Sequence, residues 1–224
     1  MDYSIVQSPS YSALEVRLAA GESIVSDAGA MAWMDPQIEV KTSTRGGVFQ
    51  GLKRKMMTGE SFFQNTYLAP QGGEIGLAPG PAGEIRHLHL GDGRDELFLQ
   101  KGAYLASSTG VNCDAKFDGL RGFFNEGFFV LRVTGRGDLF FNSFGDIQEV
   151  ELDGEMIIDN GYAVAWEPTL TYKLTRGKKI RSFLFSDQLM LRFSGRGRVW
   201  VQSRSPQTFA SWIHPFRRVQ SNND

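Results

Sequence analysis

His87 and His89 flank Leu88, and that spacing is the sharpest chemical signal in the chain. On a strand, alternate side chains point to the same side, so the pair could grip one metal ion, with Glu96 downstream as the carboxylate of a cupin-type shell. Such a centre would make the protein a metalloenzyme. The spacing argues otherwise. Gly83 stands too close before the pair, Glu96 comes late, and His214, the third histidine, lies near the end. Two polar residues on the exposed face of a strand, with Leu88 and Leu90 turned inward, explain the pattern more simply. Neither a metal nor a cofactor is expected, nor any catalytic residue.

A second candidate is electrostatic. Lys53, Arg54 and Lys55, with Arg45 nearby and Phe49, Met56 and Met57 interleaved, form the densest local positive charge and suit an anionic lipid surface or a single-stranded nucleic acid. A solvated loop tip is the plainer reading. Gly135-Arg136-Gly137 and Gly195-Arg196-Gly197 resemble anion-cradling turns, yet their repetition favours geometry: hairpins whose glycines take positive φ. Trp33 and Trp166 follow Gly29 and Gly161 at comparable distances and are expected to fill the core. Cys113 has no histidine beside it in sequence and nothing marks it as a nucleophile.

The elements that position these residues are strands. Leu14-Glu-Val-Arg-Leu, Ile38-Glu-Val-Lys, Val150-Glu-Leu and Leu170-Thr-Tyr-Lys-Leu alternate apolar and polar residues, as half-buried antiparallel strands do. With 26 Gly and 17 Phe among 224 residues, the composition suggests many tight turns between aromatic-rich strands. Formal net charge of −1 supplies no field to recruit nucleic acid, which is an unexpected partner. One cysteine excludes an intramolecular disulfide. The amino terminus lacks the basic flank and apolar core of a signal sequence, and no run is long enough to span a membrane, so a cytoplasmic location is expected.

The chain also repeats itself. Gly29, Gly102 and Gly161 each open a turn-then-strand pattern, and Leu131-Arg-Val-Thr-Gly-Arg-Gly returns as Leu191-Arg-Phe-Ser-Gly-Arg-Gly, at intervals of about 60–70 residues. The pattern predicts three tandem β units of sandwich or double-stranded β-helix type over 1–81, 82–145 and 146–204, related by approximate threefold pseudo-symmetry in one body. A tail over 205–224 carries a short helix, with Ser205 as cap and Pro206 in the first turn, packing Phe209, Trp212 and Ile213 onto the body. Asp159-Asn160-Gly161 is expected to reverse the chain through positive backbone dihedrals.

The Gly-Glu-Ser-Phe-Phe run at 59–63, Gly-Phe-Phe-Val-Leu-Arg-Val-Thr-Gly-Arg-Gly at 127–137 and the closing Val199-Trp-Val-Gln-Ser-Arg-Ser-Pro-Gln-Thr-Phe-Ala resemble the uncharacterised family named for altered inheritance of mitochondria. The resemblance spans almost the whole chain and implies three copies of a unit like that of the tryptophan RNA-binding attenuation protein. It implies no chemistry. The expected function is a non-enzymatic scaffold or interaction protein, self-associating as a homotrimer or a multiple through sheet edges and the loops of 45–57 and 117–124, with a protein or an anionic membrane surface as partner. A cupin-like metalloenzyme using His87 and His89, and an RNA-binding β protein, are the alternatives.

Overall fold

The computed structural model describes residues 1–43, 64–115, 130–176 and 189–217. Arg45, Lys53, Arg54 and Lys55 lie outside the described residues, as do Phe49 and the 117–124 loop. The fold is all-β with one short C-terminal helix, as expected.

Three sheets make up the body. The first contains β1 (Asp2–Val6), β2 (Ala13–Leu18), β7 (Gly73–Leu77) and β4 (Met31–Met34), in that spatial order. The second runs β5 (Glu39–Ser43), β6 (Gln64–Ala69), β3 (Glu22–Asp27), β10 (Tyr104–Ser108), β13 (Gly137–Asn142) and β8 (Ile85–Leu90). The third runs β11 (Val111–Ala115), β12 (Val130–Gly135), β9 (Glu96–Gln100), β15 (Ala163–Trp166), β17 (Leu189–Gln202) and β14 (Ile147–Asp159), with β16 (Thr171–Arg176) also on β17. Every pairing between these strands is antiparallel.

Alternation sets the faces where a strand has neighbours on both sides. In β2, Leu14, Val16 and Leu18 are buried while Glu15 and Arg17 face out. In β5 the same pattern leaves Val40 exposed, because this strand lies at a sheet edge and is covered on neither face there. The strands β8, β10 and β13 carry apolar side chains on both faces. Ile85, Ala106 and Phe140 fill one core with Leu14, Ile24 and Ile75, while Leu90, Tyr104, Leu139 and Phe141 fill the next core with Leu99 and Val133. This part of the second sheet is a partition between two cores. Ile147, Ala165 and Trp200 bring the third sheet into the second of those cores, and Trp166, Leu191, Phe193 and Val199 from the same sheet build a third.

The Gly-Arg-Gly segments are not hairpins. Gly135 ends β12 in the third sheet and Gly137 begins β13 in the second, so the chain passes from one sheet to another through Arg136. In β17 the equivalent residues, Gly195 and Gly197, lie inside one continuous strand. Positive φ at Gly135 (+114°), Gly137 (+133°) and Gly195 (+128°) bends a through-going strand where a reversal was expected. Only glycine fits at 135, because a Cβ there would land on the carbonyl oxygen of Gly110, the residue before its antiparallel partner Val111.

The turns at Gly29 and Gly161 form without positive dihedrals, which were expected at Asp159-Asn160-Gly161. Instead Asp27 and Asp159 each accept a hydrogen bond from the backbone N–H two residues on, at Gly29 (2.9 Å) and Gly161 (2.8 Å). Glycine is needed at 161 because a side chain would collide with Ser205. Gly29, Gly102 and Gly161 each stand two residues before the first paired residue of β4, β10 and β15.

Trp33 and Trp166 are not equivalent. Each of the three short strands has a bulge, and counting from it sets Trp33 level with Ala106 and Ala165, whereas Trp166 is level with Met34. The pairs directly opposite one another are Trp33 with Gly76, Ala106 with Phe140, and Ala165 with Trp200, one large side chain against one small in each. Trp33 folds over Gly76 on the outer face and stays 43% exposed; Trp166 is fully buried.

The helix α1 (Pro206–Ile213) begins at Ser205, whose side chain accepts from the Thr208 N–H, with Pro206 in the first turn as predicted. Its apolar residues do not pack onto the body as expected. Phe209 packs edge-on against Phe144 but stays 44% exposed, and Trp212, Ile213 and Phe216 face outward.

Candidate functional site

β8 and β13 pair with His89 directly opposite Asp138 and His87 opposite Phe140, so both imidazoles stand on one face beside a single carboxylate. His87 Nε2 lies 2.9 Å and His89 Nδ1 3.1 Å from Asp138 Oδ1. An ionised carboxylate only accepts, so both ring nitrogens donate to it. The other nitrogen of His87, Nδ1, is 2.9 Å from the Tyr3 hydroxyl. With Nε2 protonated toward Asp138, Nδ1 of neutral His87 accepts from Tyr3. Ser108 on β10 completes the cluster, accepting from the Asp138 N–H at 3.0 Å and donating to its Oδ2 at 3.4 Å. The Tyr3 ring packs on His87 and edge-on to Phe140, so the cluster ties β1 of the first sheet to the second sheet.

Burial is the largest single influence on Asp138 and opposes its ionisation. Hydrogen bonds from His87 and then His89, reinforced by charge attraction when the rings are protonated, together outweigh burial and hold the carboxyl below its ordinary value. Burial first, and then the Asp138 charge, raise the Tyr3 phenol, which keeps its proton and remains a donor.

This arrangement suits a structural tie better than a metal centre. Tyr3 and Asp138 engage both nitrogens of His87, leaving no lone pair on that ring for an ion. Glu96, the expected third ligand, sits on β9 and makes a two-pronged pair with Arg132, both contacts at 2.8 Å. Among the described residues, no group of three or more His, Cys, Asp or Glu is arranged to hold an ion. Cys113 is buried in the central core.

The same cross-strand position carries opposite charges elsewhere. Arg17 stands opposite Glu74 on β2 and β7, paired at 2.7 Å, and Glu151 stands opposite Arg198 on β14 and β17. Arg198 also reaches Glu149 and Glu167. Each of Glu74, Asp138 and Arg198 directly follows a glycine at 73, 137 or 197. That Gly-then-charge pattern was the sequence signal for Asp138; Tyr3 and Ser108 had none. Beside His89 lies a depression of about 670 Å³ lined by Asp92, Arg94, Glu167, Thr169 and Arg198. Glu167 already pairs with Arg198 (2.7 Å) and approaches Arg94 (3.8 Å), so its charges are largely spent on each other.

If Asp138 is a tie, its effect follows the sign of its shift. A carboxyl held below its ordinary value of 3.8 stabilises the fold above that value and loses its contribution as pH falls through the lowered one. Asp138→Asn is therefore expected to cost about 1 kcal/mol at neutral pH. The gap between variant and wild type should close in acid. Urea midpoints across pH check this, and a gap that does not narrow at all as pH falls below the ordinary carboxyl value would exclude the carboxylate as its source.

Residues 3–204 match the family model described as Mitochondrial biogenesis AIM24. An uncharacterised protein of Streptococcus pyogenes serotype M6 is 29% identical over 233 residues, covering 99% of this chain and 93% of that protein. The X-ray structure of another Streptococcus pyogenes protein, also 29% identical, superposes with a TM-score of 0.81 over 96% of this chain and 99% of that one.

Proposed function

The chain belongs to the Mitochondrial biogenesis AIM24 family, and from that premise we propose that it is a non-enzymatic, cytoplasmic scaffold whose C-terminal helix docks on an anionic lipid surface. The observation that carries this reading is a ladder of rings that grows more exposed toward its end. Phe144, Phe209, Trp212 and Phe216 follow one another with centroids 5.3, 5.8 and 5.9 Å apart, and the last two are 64% and 74% exposed. Ile213 widens the apolar strip. Arg204 and Arg217 flank it at the two ends.

Large rings left in water on a short helix cost free energy that a monomer has no reason to bear, and contiguous apolar patches of this kind mark contact surfaces. Trp and Phe with neighbouring Arg suit the boundary between headgroups and acyl chains, where rings insert shallowly and cations meet lipid phosphates. No helix among the described residues is long and apolar enough to cross a membrane, so α1 would lie on the surface.

Vesicle co-sedimentation tests the reading. The protein should bind vesicles containing phosphatidylserine at low salt, and less as salt rises. Phe209→Ala, Trp212→Ala and Phe216→Ala together should lower binding by more than about tenfold, through lost apolar insertion. Melting temperature should fall only modestly, through the lost contact of Phe209 with Phe144, because Trp212 and Phe216 are mostly exposed. A wild type that stays in the supernatant at low salt would end this proposal.

A further inference from the structure

Two places within the chain show how one part of the fold joins the next. β10 adds to the edge of β3 with Ala106 opposite Ser26 and Ser107 opposite Val25. β15 adds to the edge of β9 with Ala165 opposite Leu99 and Trp166 opposite Phe98. In both joints a short bulged strand, already paired on its other side, zips antiparallel onto a strand that ends just before Gly29 or Gly102.

β4 is a third strand of the same kind. It has the same bulge, between Met31 and Trp33, and pairs with β7 on one side. No described strand pairs with its other edge. β14 supplies the missing counterpart. Ile158 stands opposite Leu191 just as Leu99 stands opposite Leu131, and those two leucines begin the same Leu-Arg-x-x-Gly-Arg-Gly sequence. By that register, residues 155–159 of β14 correspond to β9, yet their outer edge has no described strand beside it.

The side chains at the open edges differ from those at the closed ones. Ala106, Ala165, Trp166, Val25 and Phe98 are buried at the two joints. At the corresponding open positions Trp33 is 43% and Ile157 52% exposed. Neither edge carries the lysine or proline with which proteins usually blunt an unpaired strand: β4 reads Met-Ala-Trp-Met, and Met156-Ile157-Ile158 lies in the other.

We propose that β4 of one copy pairs with residues 155–159 of β14 in a second copy, setting Trp33 opposite Ile158 and Met34 opposite Ile157. The joint repeats between chains the join already made twice within each. Because the two surfaces differ, the contact is head-to-tail and builds rings or open chains of copies. It deepens the scaffold reading by naming the self-contact, and it uses no residue of α1, so vesicle binding and self-association can fail separately.

Sedimentation equilibrium of the full chain tests this. Wild type should exceed monomer mass and grow with concentration across the micromolar range. Trp33→Lys and Ile157→Lys should each weaken self-association by more than about tenfold, since either buries a lysine in the joint. Each variant keeps one sound edge. An equimolar mixture of the two should therefore form a one-to-one dimer and stop there. Wild type that remains monomeric, or Ile157→Lys that still self-associates alone, overturns the proposal. Melting curves confirm that the variants fold, and Met34→Lys takes the place of Trp33→Lys should that variant melt early.

Discussion

Gly135→Ala is expected to cost more than about 4 kcal/mol of stability, placing it among the most damaging single substitutions this fold can suffer. Two effects combine. The residue holds φ at +114°, where an L side chain is strained, and its new Cβ would strike the Gly110 carbonyl while lying 3.3 Å from the Val111 Cα. Both obstacles are backbone, so no side chain can swing aside. Gly154→Ala separates the terms, because Gly154 has a similar φ of +127° and nothing within 4 Å of the added carbon. It should lose only the dihedral strain, about 1–3 kcal/mol. Urea midpoints for both variants give the comparison, and equal losses would mean that the Gly110 carbonyl leaves room for a Cβ.

Trp200→Ala should cost about 3–5 kcal/mol, as large buried aromatics do when truncated. Trp200 is fully buried in the central core, meets Phe141 edge-on at 6.1 Å and donates its indole N–H to Glu149 at 3.0 Å. Its cross-strand partner is Ala165, too small to fill the cavity. Trp33→Ala provides the contrast, for Trp33 covers Gly76 from the solvent side and should cost about 1 kcal/mol. The two tryptophans do the same job of offsetting a small neighbour, one inside a core and one outside it. Comparable losses from both variants would refute that division.

Much of this was legible in the residues. The alternation in β2, the Ser205 cap and the family resemblance all carried through, because each depends on a few neighbouring residues or on a long stretch of similar sequence. The anchoring glycines marked where turns fall, although at Gly29 and Gly161 a preceding aspartate, rather than a positive dihedral, shapes the turn. Other features depend on pairings far apart in the chain. Asp138 meets His87 only when β8 and β13 are in register, and Glu96 is drawn to Arg132 on a neighbouring strand. Spacing around the histidines holds neither fact. Gly-Arg-Gly reads as a hairpin to any local rule, since positive φ serves a sharp bend and a reversal alike; only the pairing of Gly135 with Val111 in one sheet and Gly137 with Leu90 in another decides between them. The helix misled for a different reason. Apolar residues at helical spacing signal burial, and here Trp212, Ile213 and Phe216 are exposed instead.

The partition formed by β8, β10 and β13 bears on how the molecule comes apart. A sheet with solvent on one side can lose its single core and leave the rest intact. Here the same strands present Phe140 to one core and Phe141 to the next, so melting either core strips one face of a wall the other still needs. Neighbouring cores are therefore coupled through shared strands rather than through a thin contact between finished bodies. Strongly coupled neighbours unfold together, so the three cores are expected to melt in one transition rather than in separate steps.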